Sequence, residues 1–128
     1  MTELLSPSFI LLVTRDLLFE SRVTGAATAL TVQVKTTGAL VAARQIAAEP
    51  GCQCVLYDLS LGTAGLAEFV QELRASRPVP VIAFGSHVAT ALLESARAAG
   101  CSEVMPRSRF VTILPDLLAR FGGQGHSP

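Results

Sequence analysis

The stretch that most constrains the fold is a short apolar run that ends in one carboxylate. Residues 53–58 read Gln-Cys-Val-Leu-Tyr-Asp, and the chain then breaks at Gly62. An apolar run of this length between turn signals is typical of a strand buried on both faces, as in the middle of a parallel sheet. Parallel sheets carry their ligand chemistry just beyond the carboxyl ends of the strands, so the sequence predicts a site at Asp58.

Strands and helices are predicted to alternate along the chain. Short apolar or β-branched runs predict four more strands, at residues 9–13, 31–35, 79–84 and 102–105. Apolar residues at helical spacing predict helices at residues 17–29, 38–48, 66–77, 87–99 and 110–121. The expected N-cap of the first helix is Asp16 or Thr14. This alternation with short connections predicts an α/β fold with a doubly wound parallel sheet.

The composition fits one globular domain with a buried core. Half of the 128 residues are hydrophobic, but no apolar run approaches the ~20 residues of a membrane span. Ten basic residues balance ten acidic ones, which leaves no overall charge to attract nucleic acid. The start lacks the basic flank of a secretory signal, so we expect a cytoplasmic protein without a membrane segment. The domain is expected to span residues 1–121, before a disordered tail at 122–128.

The three cysteines form no metal-binding pattern. Cys52 and Cys54 are separated by one residue, whereas the usual redox motif has two residues between its cysteines. In a regular strand their side chains would point to the same face. We interpret both of them, and Cys101, as small buried apolar residues.

These segments resemble those of a known family. Residues 10–13 and 55–61 resemble the first strand and the phosphorylated-aspartate strand of bacterial response-regulator receiver domains, in the CheY-like superfamily. Residues 79–84 resemble their fourth strand and 98–103 the approach to the fifth, so the resemblance covers residues 9–121. It implies a flavodoxin-like sheet of five parallel strands in the order 2-1-3-4-5, flanked by five helices. It also implies that Asp58 is the phosphoacceptor position.

The residues that hold Mg²⁺ in this family are replaced in the chain. Receiver domains carry an acidic pair after the first strand, and this pair falls on Thr14 and Arg15, with Asp16 one place further along. Mg²⁺ is bound through hard oxygen ligands, so Asp58 would remain the single carboxylate, helped by the backbone carbonyl of Ser60. We therefore expect neither a metal nor another cofactor.

The hydroxyl and the lysine that contact the phosphoryl group in the family are replaced as well. The hydroxyl position falls on Gly85, which has no side chain, with Ser86 beside it, and the lysine falls on Arg107. Arginine keeps the charge of lysine but differs in shape. We therefore expect the carboxylate of Asp58 to pair with Arg15, with Arg107 or with both.

A partner surface is predicted on the fourth helix, fifth strand and fifth helix, the face that receiver domains use for dimers and partners. Leu92 is expected to face the sheet. Leu93 is expected to be partly exposed near Met105, with Val104 alongside. An exposed apolar patch of this kind favours protein binding.

The sequence therefore predicts a stand-alone pseudo-receiver, a non-enzymatic module without an attached output domain that signals by binding protein. Its partner would be another signalling protein or a second copy of the chain, and Mg²⁺-dependent phosphorylation is not expected. Two alternatives stay open. One is a conventional single-domain response regulator phosphorylated at Asp58 by a histidine kinase. The other is a flavodoxin-like module that binds a small molecule at the strand ends.

Overall fold

The structure, a computed structural model, describes residues 7–122, which form a parallel sheet in the order β2-β1-β3-β4-β5. The strands are β1 (Phe9–Val13), β2 (Val34–Thr37), β3 (Cys52–Asp58), β4 (Val81–Gly85) and β5 (Glu103–Pro106). The α-helices are α1 (Leu17–Ala29), α2 (Leu40–Ala47), α3 (Leu66–Ser76), α4 (Thr90–Ala98) and α5 (Arg107–Gly122). None of the helices in this part of the chain is long and apolar enough to cross a membrane. The predicted flavodoxin-like fold and its strand order are confirmed.

The sheet separates two apolar layers. One contains the buried residues of α2, α3 and α4, and the other contains those of α1 and α5. β3 contributes to both layers, with Val55 and Tyr57 in the first and Leu56 in the second. A strand buried on both faces is what the continuous apolar run predicts. This burial fixes the backbone of Asp58 at the end of β3.

An irregular pairing at the start of β3 reverses the predicted direction of one cysteine. Phe9 pairs with Cys52 and Ile10 with Cys54, so Gln53 is an extra residue opposite β1. Cys52 therefore lies in the layer with α2, α3 and α4, and Cys54 in the layer with α1 and α5. The prediction that they share a face is wrong. Both thiols are buried as expected, and burial raises the pKa of Cys52 to about 11.

The inward face of α4 differs from the predicted one. Within the predicted helix at residues 87–99, Val88 has the apolar spacing of an inward residue, but it precedes α4, which begins at Thr90, and is 73% exposed. Each residue turns a helix by about 100°. An apolar stripe that starts at Val88 therefore lies on a different face of the helix from the residues that are buried in the structure. The buried residues are Leu93 and Ala96. The predicted exposure of Leu93 is wrong, since this side chain is 7% exposed.

The other two residues of the predicted partner surface lie on β5. Met105 is buried in the layer with α1 and α5, on the opposite side of the sheet from Leu93, so its predicted exposure is also wrong. Because side chains alternate along a strand, Val104 points to the other side, where it is half-buried beside α4. Of the three residues, only Val104 is therefore partly accessible.

β2 lies at Val34–Thr37 rather than at residues 31–35. Thr31 has a φ of 59° and belongs to the turn that ends α1. In this turn the N–H of Val32 donates to the carbonyl of Ala27 at 2.8 Å. These residues satisfy the end of the helix and cannot join the sheet, so the strand starts after them.

Gly122 ends α5 and packs against Val32. A Cβ added at Gly122 would lie 2.3 Å from Cγ1 of Val32, so this position has no room for a side chain. Gly122 is therefore part of the domain rather than the first residue of the predicted tail. The remaining residues of that tail, 123–128, lie outside the described part of the chain.

Candidate functional site

Asp58 lies at the carboxyl edge of the sheet, where neighbouring strands end. Thr14 directly follows β1, Asp58 ends β3, and Arg107 directly follows β5 as the first residue of α5. A parallel sheet brings such positions to one edge. The structure therefore brings together three of the residues predicted for the site.

Both oxygens of the Asp58 carboxylate accept hydrogen bonds. Oδ2 accepts from the hydroxyl of Thr14 at 2.7 Å, and Oδ1 accepts from the backbone N–H of Ser60 at 2.9 Å. Nη2 of Arg107 lies 3.4 Å from Oδ1. Asp58 is 0% exposed. Since a buried carboxylate is tolerated only where donors and a cation replace water, these three groups account for its burial.

Thr14 acts as a hydrogen-bond donor at a position where the family has an acid. Its hydroxyl oxygen accepts from the backbone N–H of Asp16 at 3.1 Å while the hydroxyl donates to Asp58. An aspartate in its place would set two like charges side by side, which raises the free energy of the ionised pair. The replacement therefore changes a repulsive contact into an attractive one.

Ser60 contributes through its backbone, and the loop that carries it is held by Tyr57. The hydroxyl of Tyr57 donates to the carbonyl of Gly62 at 2.7 Å. Gly62 has a φ of 87°, in the left-handed region that favours glycine. The glycine at the loop break therefore ends a 3-10 turn, Leu59–Leu61, which Asp58 caps by accepting from the Ser60 N–H.

Arg107 bridges two carboxylates above an aromatic surface. Its Nη1 lies 3.4 Å from Oδ2 of Asp16, at the same distance as Nη2 from Asp58. Its guanidinium carbon lies 4.8 Å from the ring centroid of Phe19 and 5.7 Å from that of Phe84. Planar guanidinium groups favour such ring contacts. The predicted pairing of Arg107 with Asp58 is confirmed.

The sequence alone did not indicate the aromatic surface below Arg107. Phe19, Phe84 and Phe110 come from α1, β4 and α5. Their ring centroids are 4.9 Å apart for Phe19 and Phe84 and 4.2 Å apart for Phe84 and Phe110. The sequence did contain one signal for this aromatic surface: Phe19 and Phe110 both lie near the start of a helix that follows a strand at the site edge.

Arg15, the other predicted partner of Asp58, does not reach it. The side chain is exposed and makes no ion pair with any residue of the range 7–122. Its stem lies against the loop after β2, where a Cβ added at Gly38 would be 2.9 Å from Cγ of Arg15. Of the two arginines left open as partners of Asp58, Arg107 forms the pair and Arg15 does not, because the Arg15 side chain follows the neighbouring loop.

Asp16 caps α1 and also faces Arg107. Its Oδ1 accepts from the N–H of Phe19 at 3.0 Å, which confirms the predicted N-cap. This hydrogen bond is the main cause that lowers the pKa of Asp16 below its ordinary value of 3.8. The charge of Arg107 adds to the lowering of this pKa, against partial desolvation.

Replacing Asp16 by asparagine is expected to lower stability at neutral pH and to have little effect in acid. Asparagine is also a good N-cap, so the change removes mainly the charge. Because the folded-state pKa is lowered, the ionised group stabilises the fold above pH 3.8 and loses this effect as the pH falls through the folded-state pKa. Urea unfolding of both proteins at neutral and acid pH measures this. A stability difference independent of pH would contradict the assignment.

Neither Gly85 nor Ser86 offers a hydroxyl to Asp58. Gly85 is buried, and a Cβ added there would lie 3.1 Å from Cβ of Leu59. Ser86 is exposed, and its hydroxyl oxygen accepts from the N–H of Val88 at 3.4 Å. The family's phosphoryl-binding hydroxyl therefore has no counterpart among these two residues.

The donor set around Asp58 does not fit a Mg²⁺ ion. Mg²⁺ requires octahedral oxygen ligands, commonly one or two carboxylates with waters. Within residues 7–122 no three His, Cys, Asp or Glu side chains form a metal-binding group, and the two carboxylates at this site, Asp16 and Asp58, already share one cation. The guanidinium of Arg107 lies between the carboxylates of Asp16 and Asp58, so this arginine supplies the positive charge at the site.

The fold, with the sheet order 2-1-3-4-5, is similar to that of several solved receiver domains. The receiver domain of a sensor histidine kinase from Pseudomonas aeruginosa, with magnesium coordinated in its active-site cleft, has a TM-score of 0.73 at 21% identity, over 92% of this chain and 99% of its own. A response regulator from Hahella chejuensis has a TM-score of 0.75 at 15% identity, over 94% and 99%.

A third similar structure is a complex. The receiver domain of Ssk1 from Saccharomyces cerevisiae, solved with the histidine phosphotransfer protein Ypd1, has a TM-score of 0.71 at 17% identity, over 92% of this chain and 91% of its own. No protein-family model and no curated protein sequence matches the chain. At these identities the likeness establishes the fold alone.

Proposed function

We propose that this protein is a pseudo-receiver, a signalling module that binds another protein without Mg²⁺-dependent phosphorylation of its aspartate. The observation that carries the proposal is the state of Asp58. Its carboxylate is 0% exposed, and both of its oxygens already accept hydrogen bonds. The receiver fold supports the signalling role.

Three features act against phosphoryl transfer to Asp58. An attacking oxygen must approach the phosphorus closely, whereas Oδ2 is buried against the hydroxyl of Thr14. A metal that neutralises the developing charge is a main source of catalysis in phosphoryl transfer, and the donor set here does not fit one. Gly85 supplies no hydroxyl to hold the transferred group. Asp58 therefore serves as a structural carboxylate in this proposal.

Protein binding, rather than catalysis, is the activity we propose. The complex of the Ssk1 receiver with a histidine phosphotransfer protein supports a signalling protein as the kind of partner. Leu93 and Met105 are buried, so a partner contact or a homodimer through α4, β5 and α5 would use other residues of that face. The cytoplasmic location stays a prediction.

Thermal unfolding with and without Mg²⁺ tests the proposal. We expect the same Tm in both conditions, because an ion that binds the folded state would raise the Tm. The matched control combines Thr14→Asp with Arg15→Asp, which restores the acidic pair and should gain a Mg²⁺-dependent rise in Tm. A rise in the unchanged protein that disappears in Asp58→Asn would refute the proposal and support a conventional response regulator.

A further inference from the structure

The outer edge of β2 is open to pairing with another strand. β2 lies at one end of the sheet, with β1 as its only neighbour among the described strands. On its inner side, the carbonyl of Gln33 accepts from the N–H of Ile10 at 3.0 Å. Because alternate residues of a strand bond to the same neighbour, the backbone groups of Val34 and Thr36 face away from β1. A row of such groups can pair with another chain.

β2 lacks the features that commonly block an exposed edge. Its sequence, Val-Lys-Thr-Thr, contains no proline, and it pairs with β1 without a bulge. Its charged residue, Lys35, pairs with Glu49 at 2.8 Å and lies 4.2 Å from the ring centroid of Phe9. The ammonium is therefore held over one face of the sheet, where a carboxylate already neutralises it. The edge is accessible to an extended segment of another chain.

One flank of α1 lies beside this edge. Leu18 and Arg22 line a common groove with α5, while Phe19 packs on the sheet. Successive residues of a helix are about 100° apart, so Glu20 lies on the flank opposite Leu18, which is the flank next to β2. Leu17 is three residues before Glu20 on this flank and is 77% exposed. An acidic and an apolar side chain therefore border the open edge.

The carboxylate on this flank has no cationic partner in the described chain. Glu20 is half-buried and makes no ion pair with any residue between positions 7 and 122. A second copy that paired antiparallel about a twofold axis would place its own α1 on the same face of the joined sheet. It would bring a second Glu20 and no cation. Charge complementarity therefore favours a basic segment of a different protein.

We propose that the edge of β2 binds an extended, basic segment of a partner protein as an added strand. The backbone groups of Val34 and Thr36 would pair with the backbone of the segment. Alternate side chains of a strand share one face. On the face of α1, a Lys or Arg of the segment would pair with Glu20, and an apolar residue would lie against Leu17. The inference rests on the proposed function, because it names the surface and the partner chemistry of that protein binding.

Selection from a displayed library of random short peptides on the intact protein tests this inference. We expect the enriched peptides to combine Lys or Arg with β-branched and aromatic residues and to lack proline in the paired part. Fluorescence anisotropy then measures the affinity of the most enriched peptide. N-methylation of every second residue removes the donors of one side of the peptide. It should weaken binding by about tenfold or more in one of the two phases and not in the other.

Variants of β2 and α1 locate the binding site. Thr36→Pro removes an N–H that faces outward, so it should keep the pairing with β1 and weaken binding by about tenfold or more. Thr36→Ala keeps this N–H and is its matched control. Glu20→Lys should weaken binding by a similar factor, and a peptide whose basic residues are changed to Glu should regain it. Glu68→Lys reverses the acidic residue in the first turn of α3 and should leave the affinity unchanged.

Several results would overturn the inference: no enrichment, enriched peptides without basic residues, or equal losses in Glu20→Lys and Glu68→Lys. Unchanged binding to Thr36→Pro, with its fold checked by circular dichroism, would also overturn it. The N-methylated peptides make the same test on the unchanged protein, where equal affinities in the two phases would contradict an added strand. Self-association that Thr36→Pro abolishes would show that a second copy fills the edge and would overturn the inference as well.

A phosphodonor with Mg²⁺ tests the proposed function in the same samples. Labelling of Asp58 together with binding of the basic peptide at the edge would refute the proposed function and support the added strand. Absence of both would refute the added strand and support the proposed function.

Discussion

Replacing Asp58 by alanine is expected to lower the free energy of unfolding by ~3 kcal/mol, the range for breaking a buried charge pair. The change leaves the hydroxyl of Thr14 and the N–H of Ser60 without their acceptor. Arg107 then keeps only the carboxylate of Asp16. Because Arg107 is 34% exposed, solvent moderates the loss of its pair with Asp58. Urea denaturation followed by circular dichroism measures the difference.

Two variants serve as controls for this prediction. Asp58→Asn retains one oxygen acceptor and should lose clearly less stability than Asp58→Ala. Asp116→Ala removes an exposed carboxylate from α5 and should change the free energy of unfolding by less than about 0.5 kcal/mol. An Asp58→Ala protein that is more stable than the unchanged one would contradict a structural role, since stability gained by removing a residue is typical of reactive sites.

Replacing Arg77 by alanine is expected to cost ~3 kcal/mol, because one guanidinium satisfies several backbone carbonyls that belong to the end of α2 and the start of β3. Its two terminal nitrogens donate at 2.7 to 3.2 Å to the carbonyls of Ala47, Glu49, Pro50 and Cys52. A cation is also favoured at the carboxyl end of a helix. Thermal and urea unfolding would measure the loss.

Two further changes, at Arg77 and on α3, separate this bridge from a general effect of arginine. Arg77→Lys keeps the charge but lacks the planar fork, so it should recover only a small part of the stability. Arg74→Ala removes one hydrogen bond, to the carbonyl of Gly100 at 2.7 Å, and should cost about 1 kcal/mol. Equal losses in Arg77→Ala and Arg74→Ala would contradict the prediction for Arg77.

Local signals account for the elements that the sequence predicted well. β1 and α1 have the predicted bounds, because an apolar run stops at Thr14 and Asp16 caps the next helix. α3 forms within the predicted helix at residues 66–77, and its four buried residues recur at helical spacing: Leu66, Phe69, Val70 and Leu73. Here burial and local propensity favour the same structure.

The errors arise where contacts distant in sequence decide the structure. The extra residue at Gln53 follows from how β3 pairs with β1, and no turn residue marks it. Val88 has the spacing of an inward helical residue, yet the chain forms a turn there before α4 begins. Leu93 therefore occupies the buried, sheet-facing position, whereas the apolar spacing predicted that Leu92 would face the sheet.

The residues of the candidate site could be predicted, but not their pairing. Arg15 and Arg107 both lie next to strand ends at one edge of the sheet, so the sequence left both as partners of Asp58. The structure selects Arg107 because α5 starts there, well before the predicted residue 110, above the ring of Phe19. The contact between the rings of Phe19 and Phe110 was not predicted, since it requires α1 and α5 to pack side by side.

Intact mass spectrometry, after incubation with a small phosphodonor and Mg²⁺, tests most directly whether Asp58 is a structural carboxylate. Asp58→Asn is the control, because it removes the reactive carboxylate and retains one oxygen acceptor at the site. We predict that the unchanged protein and this variant both keep the mass of the unmodified chain. A phosphoryl adduct on the unchanged protein that is absent from Asp58→Asn would contradict the account.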